Sequence, residues 1–231
     1  MPQTPPPMAT VHEQPGDPTR NALLAGMAGS VVQNLEPFLS IVSVPSGTVI
    51  HDVGKEIDRV YFPIIGLASL QFVTRNGRAI DTATIGREGA LGVMAGIGRY
   101  EAKDRCVARS PLTSITISTF DLRRFAHEHR ELQTMCVNEV DRMLSRTQRQ
   151  AARYALHTIE MRLAHCLLDA SEMLSSDTIP FTQDVMAEML AVRRTSITEA
   201  ASKLHMAEII DYSRGTIRIL DRAGLSKLAH R

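Results

Sequence analysis

Thr182-Gln-Asp-Val-Met-Ala-Glu-Met-Leu190 is followed, after Ala191-Val192, by Arg193-Arg-Thr-Ser-Ile-Thr-Glu-Ala-Ala-Ser-Lys-Leu204. Thr182 suits a helix N-cap, and Asp184 puts a carboxylate in the first turn, where the helix dipole favours it. Val185, Met186, Met189 and Leu190 then recur at helical spacing and define one apolar face. The second run has its apolar face at Ile197, Ala200, Ala201 and Leu204, and its other face is basic and hydroxylated. Two short amphipathic helices across a tight turn predict a helix-turn-helix. Downstream, Ile209-Ile-Asp-Tyr-Ser-Arg-Gly-Thr-Ile-Arg-Ile-Leu220 reads as two β-rich runs around Ser213-Arg214-Gly215, a hairpin with glycine at its tip. That hairpin is the expected wing.

A recognition helix enters the major groove by its N-terminal end, so Arg193, Arg194, Thr195, Ser196, Thr198 and Glu199 are the candidates for base and phosphate contacts. Arginine forks suit guanine, and glutamate can accept from cytosine. Lys203 and the wing-tip Arg214 complete the candidate DNA-binding set. An arginine-rich helical face alone is usually a solvated face. The ordered series of N-cap, turn, basic second helix and glycine-tipped hairpin within about forty residues is what carries specificity. Residues 181–231 hold eight Lys and Arg against six Asp and Glu, so local placement rather than bulk charge makes the case.

The whole chain has 231 residues, 44% hydrophobic, with a net charge of +1. That allows one or two domains with real cores and excludes a generally basic surface. No apolar run approaches the about eighteen residues needed to span a bilayer, and no signal-peptide pattern opens the chain. A cytoplasmic protein without membrane association is expected. Cys106, Cys136 and Cys166 lack CxxC spacing, so neither a disulfide framework nor a metal site is expected, and no cofactor is implied.

Residues 1–20 hold six of the eleven prolines and no hydrophobic periodicity, which predicts an unstructured tail. From about residue 35 to 118, short β-like runs alternate with turn signals such as Pro45-Ser-Gly47, Val53-Gly54 and Ser110-Pro111, the pattern of a β-barrel or roll. Arg75-Asn-Gly-Arg78 is the sharpest turn signal and suits a two-residue hairpin. From Asp121 the pattern becomes helical: a short helix to His129, a long one over 130–157 without glycine or proline, and another over Thr158–Leu174. Cys136, Val140, Met143, Thr147, Gln150 and Tyr154 recur at alternating steps of four and three along the long helix, the spacing of a two-helix dimer seam.

This organisation resembles the Crp/Fnr family of bacterial transcription regulators over nearly the whole chain from about residue 21. The residues that carry the likeness are Val60-Tyr-Phe-Pro63 with Gly66 and Ser69, and Ile85-Gly-Arg-Glu-Gly-Ala-Leu-Gly92. In the C-terminal part they are Glu160-Met-Arg162-Leu-Ala, Phe181-Thr-Gln, Arg193-Arg-Thr-Ser-Ile197 and Tyr212-Ser-Arg-Gly215. The resemblance implies an α+β chain: a jelly-roll-like effector domain over 21–120, a helical dimerisation segment over 121–157 and a winged helix-turn-helix over 158–231. It further implies a homodimer, double-stranded DNA with a palindromic operator, RNA polymerase as a partner, and an effector of unidentified nature or none.

Departures from the family pattern are informative. Cyclic-AMP-binding members carry Gly-Glu-x-Gly and, about ten residues on, Arg-Ser-Ala, the Glu holding the ribose and the Arg the cyclic phosphate. Here Gly86 is followed by Arg87, Glu88 stands one place late before Gly89, and no Arg-Ser-Ala follows. Gly86, Arg87, Glu88 and Gly89 are therefore read either as a tight turn of the roll or as an altered effector pocket, and cyclic-nucleotide binding is not expected. The cysteine cluster of iron–sulfur-sensing members is missing as well, since residues 1–105 contain no cysteine. In the recognition helix, Thr195 and Glu199 stand where members reading the best-known half-site have Glu and Arg, while Arg194 matches, so a changed base preference is expected. Ala191 stands where the family usually has glycine, and alanine at positive φ would cost about 1–2 kcal/mol.

Other chemistry is weak. His127-Glu-His129 places its histidines two apart on a helix, where they do not face each other. Gly86–Gly92 lacks the Gly-Lys-Ser/Thr or GxGxxG continuation of a nucleotide site, and no GxSxG or HExxH marks an enzyme. The alternative functional class is a small-molecule or protein-binding sensor module with lost or weak DNA binding.

Overall fold

The computed structural model describes residues 10–12, 17–98, 101–213 and 215–230. Its elements fall into two compact units. One is made of the described residues within Met1–Leu70 and Thr84–Leu144, the other of those within Gln71–Ala83 and Ser145–Arg231.

In chain order the first elements are β1 (Thr10–His12), α1 (Ala22–Ala25), α2 (Gly29–Leu35), β2 (Ser40–Val44), β3 (Val49–His51), β4 (Arg59–Ile65), β5 (Ala68–Val73), β6 (Ala79–Ile85), α3 (Val93–Ile97), β7 (Arg105–Ala108), β8 (Leu112–Ser118), α4 (Thr119–Glu128) and α5 (Arg130–Leu156). The strands form two four-stranded sheets, in the orders β1-β2-β8-β4 and β3-β7-β5-β6, which is the expected β-roll. Two segments of the expected tail lie within the described residues. Thr10–His12 pairs antiparallel with β2, and Pro18–Arg20 forms a 3-10 turn capped by Asp17, whose carboxylate accepts from the Thr19 amide.

The core of the first unit follows from alternation along its two best-paired strands. Val60, Phe62 and Ile64 of β4 and Ile115 and Ile117 of β8 point to one side, where they meet Leu23, Leu24 and Leu35 from α1 and α2. Leu122 and Phe125 of α4 and Leu132, Met135 and Cys136 of α5 complete the cluster. β8 is central in its sheet and its opposite face is buried too. There the hydroxyls of Thr116 and Ser40 bond at 2.9 Å, while the buried Ser114 hydroxyl beside them makes no hydrogen bond among the described residues. β4 loses register with β8 between Pro63 and Ile65, where proline has no amide to give the ladder. Gly66 then turns the chain at φ 86, with a Cβ there only 2.1 Å from the Pro111 carbonyl oxygen, so no other residue fits.

The turn at Arg75–Arg78 differs from the expected two-residue hairpin. Gly77 donates to the Thr74 carbonyl (2.9 Å) and Thr74 to the Arg78 carbonyl (2.8 Å), while positive φ occurs at Gly77 (81°) and not at Asn76. A two-residue type I′ turn needs positive φ at both central residues, so the chain adopts a three-residue loop with glycine in the left-handed position.

The remaining elements are α6 (Ile159–Leu174), β9 (Thr178–Ile179), α7 (Gln183–Met189), α8 (Arg194–Met206), β10 (Ile210–Ser213), β11 (Thr216–Ile219) and α9 (Arg222–Ala229). Thr158 caps α6 by accepting from the Met161 amide. β9, β11 and β10 form a three-stranded sheet in that spatial order, with Ile179 opposite Ile217. α9 packs on α6 through Leu225 and Ala229, both fully buried. The division of the chain departs from the expected boundaries: α5 gives its first half to one unit and its second half to the other, and residues 71–83 of the β5–β6 hairpin belong with the C-terminal unit. Among the described residues no helix is long and apolar enough to cross a membrane, and no group of His, Cys, Asp and Glu is placed to hold a metal ion.

Candidate nucleic-acid interface

α7 begins where expected. The Thr182 hydroxyl accepts from the Val185 amide at 3.2 Å, and Met186, Ala187 and Met189 are buried beneath it. The helix ends in a Schellman arrangement: Val192 donates to the Ala187 carbonyl (3.0 Å) and Ala191 to that of Glu188 (3.1 Å). Ala191 occupies the left-handed position with φ 52, so the turn keeps there the conformation that glycine favours. This tight exit sets the angle at which α8 starts.

α8 has Arg193 as its N-cap residue, and no side chain caps it, so its first amides have no side-chain acceptor. Ile197, Ala200, Ala201 and Leu204 are buried, as the periodicity predicts. Arg193, Arg194, Thr195, Thr198 and Glu199 are exposed and Ser196 is half-buried, so all six predicted reading positions lie on the open side of the first two turns. Two of them are already oriented. The Arg194 guanidinium lies 3.5 Å from Asp184, and the Thr198 hydroxyl donates to Gln183 at 2.9 Å. Both partners sit in the first turn of α7, which fixes the reading face against the preceding helix.

Lys203 is placed differently from the rest. Its ammonium bonds to Glu160 of α6 at 2.5 Å, which raises the lysine pKa and holds the glutamate below the usual carboxylate range. It ties α8 to α6 and stands apart from the arginines at the other end of the helix. In the wing, Ser213 and Thr216 pair across a two-residue tip containing Gly215 at φ 81. Arg214 lies outside the described residues. β9 and α9, which lock the wing and α6 together, had no readable signal: two residues of strand are too few for a period, and α9 follows the wing without a new glycine or proline boundary. The one clue is Asp221, whose carboxylate caps α9 at the Gly224 amide (2.9 Å).

The dimer-seam candidates do not share one open face. Cys136 is completely buried in the core of the first unit, where burial foremost and the Glu139 charge next push its thiol up to about 12. The Tyr154 hydroxyl is held by the main-chain carbonyls of Met189 (2.7 Å) and Asp81 (3.1 Å). Val140, Met143, Thr147 and Gln150 are half-buried. The exposed large apolar side chains of α5 are instead Val137 (54%) and Leu144 (55%), seven residues apart, with Ala151 exposed seven further on, and Leu156 (78%) at the end of the helix.

The segment Gly86–Gly89 forms a β-turn, Gly89 donating to the Gly86 carbonyl at 3.1 Å and Glu88 accepting from the Gly86 amide at 3.2 Å. Its carbonyls are used by the start of the roll: Ala22 donates to Arg87 (2.8 Å), and the fully buried Asn21 side chain donates to Gly89 (3.0 Å) and to Pro63 (2.9 Å). Ala90 donates to the buried Glu139 carboxylate at 3.3 Å. The tight-turn reading of these four residues describes this geometry.

Residues 161–228 match the model of the Crp-like helix-turn-helix domain. Over these residues the chain is a Crp-like helix-turn-helix domain. FixK2 from Bradyrhizobium japonicum superposes with a TM-score of 0.72 at 15% identity over 82% of this chain and 96% of its own. A transcriptional regulator of the CRP/FNR family from Thermus thermophilus does so with 0.66 at 23% over 83% and 98%. The c-di-GMP responsive global regulator CLP from Xanthomonas campestris gives 0.67 at 15% over 83% and 99%. No curated protein matches the sequence. At these identities the shared property of the whole chain is its fold, an N-terminal β-roll with a C-terminal helix-turn-helix, and the domain match marks the latter as a DNA-binding unit.

Proposed function

We propose that this Crp/Fnr-like chain is a homodimeric, sequence-specific transcription regulator of the cytoplasm that reads a palindromic operator through α8. The observation that carries the reading is the split of α8: four apolar side chains are buried, while Arg193, Arg194, Thr195, Ser196, Thr198 and Glu199 line the open side of its first two turns. That is the end by which a recognition helix meets base edges. Arg194 reads a base, Arg193 and the hydroxyls position the helix on phosphates, and Arg214 serves the backbone from the wing. Two copies joined along α5 give the two-fold symmetry that a palindrome mirrors. Any signal acts at the roll, and the Gly86–Gly89 turn, tied down by Asn21 and Ala22, is its candidate receiver; RNA polymerase is the downstream partner.

Selection from a pool of random duplexes tests this reading. The purified chain is expected to enrich an inverted repeat with half-sites about one helical turn apart, bound with steeply salt-dependent affinity. Enrichment of nothing, or of a single unrepeated half-site, would contradict it.

A further inference from the structure

The β5–β6 hairpin carries the two arginines of the Arg75–Arg78 turn, and the proposed reading leaves them without a role. The turn is firmly built: besides its two main-chain bonds, the Thr74 hydroxyl lies 2.9 Å from the Arg78 carbonyl and 2.5 Å from the Asn76 side chain. Residues 71–83 belong to the same compact unit as α7 and α8. Tyr154 fixes them there, since its hydroxyl contacts the Asp81 carbonyl on β6 and the Met189 carbonyl at the end of α7. Burial pushes the Tyr154 hydroxyl up to about 12, so it stays protonated and able to donate. Gln71 donates to the buried Asp81 carboxylate at 2.8 Å, which removes the hairpin's one acidic group from its surface and leaves Arg75 and Arg78 as its exposed charges.

Between hairpin and helix-turn-helix lies an open cleft of about 810 Å³. Arg78 and Ala79 form one wall, while Ala191, Val192, Arg193 and Ser196 bring in the turn and the start of α8. Asp184, which pairs with Arg194 at 3.5 Å, and Glu188 also line it. Arg75, Arg78 and Arg193 have no carboxylate partner among the described residues. Arg78 and Arg193 line the same cleft, and like charges brought into one cleft favour a bound anion. A basic hairpin is poorly suited to shield a basic reading helix and well suited to extend it.

We infer that the hairpin is a second DNA-backbone contact: Arg75 and Arg78 engage phosphates beside those met by the start of α8, so each protomer grips the duplex from the roll's hairpin as well as from the helix-turn-helix. The inference rests on the DNA-reading role proposed above. The partner chemistry is the phosphodiester of duplex DNA, and no base specificity is supplied.

The test compares the full-length protein with its Arg75→Ala/Arg78→Ala variant and its Arg75→Lys/Arg78→Lys variant on the selected operator and on a random duplex, over a series of salt concentrations. Both arginines are exposed, and matching melting curves verify the fold. The alanine variant should bind both duplexes more weakly, with the slope of log K against log salt reduced by about one for each phosphate no longer neutralised, and with unchanged base preference. The lysine variant, keeping the charge, should keep most of the slope. An unchanged slope and affinity in the alanine variant overturns the inference while leaving the DNA-reading role intact. Tighter binding overturns it in favour of a hairpin that shields α8. Absence of DNA binding by the wild-type protein overturns both.

Discussion

At Ala191 the backbone sits in the left-handed region (φ 52), and so it does at Ser175 (51°) and Glu208 (55°). All three follow helix ends closed in the same way: Ser176 donates to the Ser171 carbonyl, Val192 to Ala187, and Ile209 to Leu204. Glycine is the residue this position favours, and none of α6, α7 or α8 has it. Relief of left-handed strain is worth about 1–2 kcal/mol, and the greater freedom of glycine in the unfolded chain offsets about 0.4–1 kcal/mol of that. Ala191→Gly is therefore expected to stabilise the C-terminal unit by about 0.5–1 kcal/mol in denaturant titration, with base preference unchanged. Equal or lower stability would show that the turn does not carry this strain. The Ala191 strain was legible in the sequence because a motif position was filled by the wrong residue. Those at Ser175 and Glu208 were not, since serine and glutamate at a helix end carry no comparable warning.

Among the elements, α5, α7 and α8 were readable because each repeats its apolar positions at helical spacing, over about two turns or more in α5 and α8 and over more than one in α7. On α5 the spacing marks a helix, but the six seam candidates do not lie on one open face. Cys136 and Val137 are adjacent and both apolar, so spacing cannot say which of them faces the chain's own core. The structure buries Cys136 and exposes Val137, turning the open stripe by one residue to Val137, Leu144 and Ala151, flanked by Val140 and Thr147. A dimer through this helix then has its seam on that stripe. Leu144→Asp would bury a charge between two helices, at a cost of several kcal/mol, and is expected to yield monomers by light scattering and to abolish operator binding. A persistent dimer would place the subunit contact elsewhere. Tyr154 was misplaced for a different reason: an aromatic at a seam position can equally serve as a hydrogen-bond donor, and its two carbonyl partners, 73 and 35 residues away in the chain, are invisible to any local pattern.

For the molecule as a whole, a net charge of +1 leaves no general attraction for nucleic acid, so recognition depends on where the arginines stand. The fold gathers them: Arg75, Arg78, Arg193 and Arg194 fall in one compact unit although more than a hundred residues separate the hairpin from the helix. The sequence revealed the second pair through the helix-turn-helix pattern and could not join the first pair to it, because that placement depends on tertiary contacts of Tyr154. The central claim concerns Arg194, the side chain at the head of α8. Binding titrations on a library of randomised operator half-sites, wild type against Arg194→Ala, test it most directly. A base-reading arginine contributes about 1–3 kcal/mol of discrimination at one position, so Arg194→Ala is expected to flatten the preference at one base pair of each half-site while leaving the others intact. A variant that loses affinity equally for every sequence, with its preference unchanged at all positions, would contradict the account.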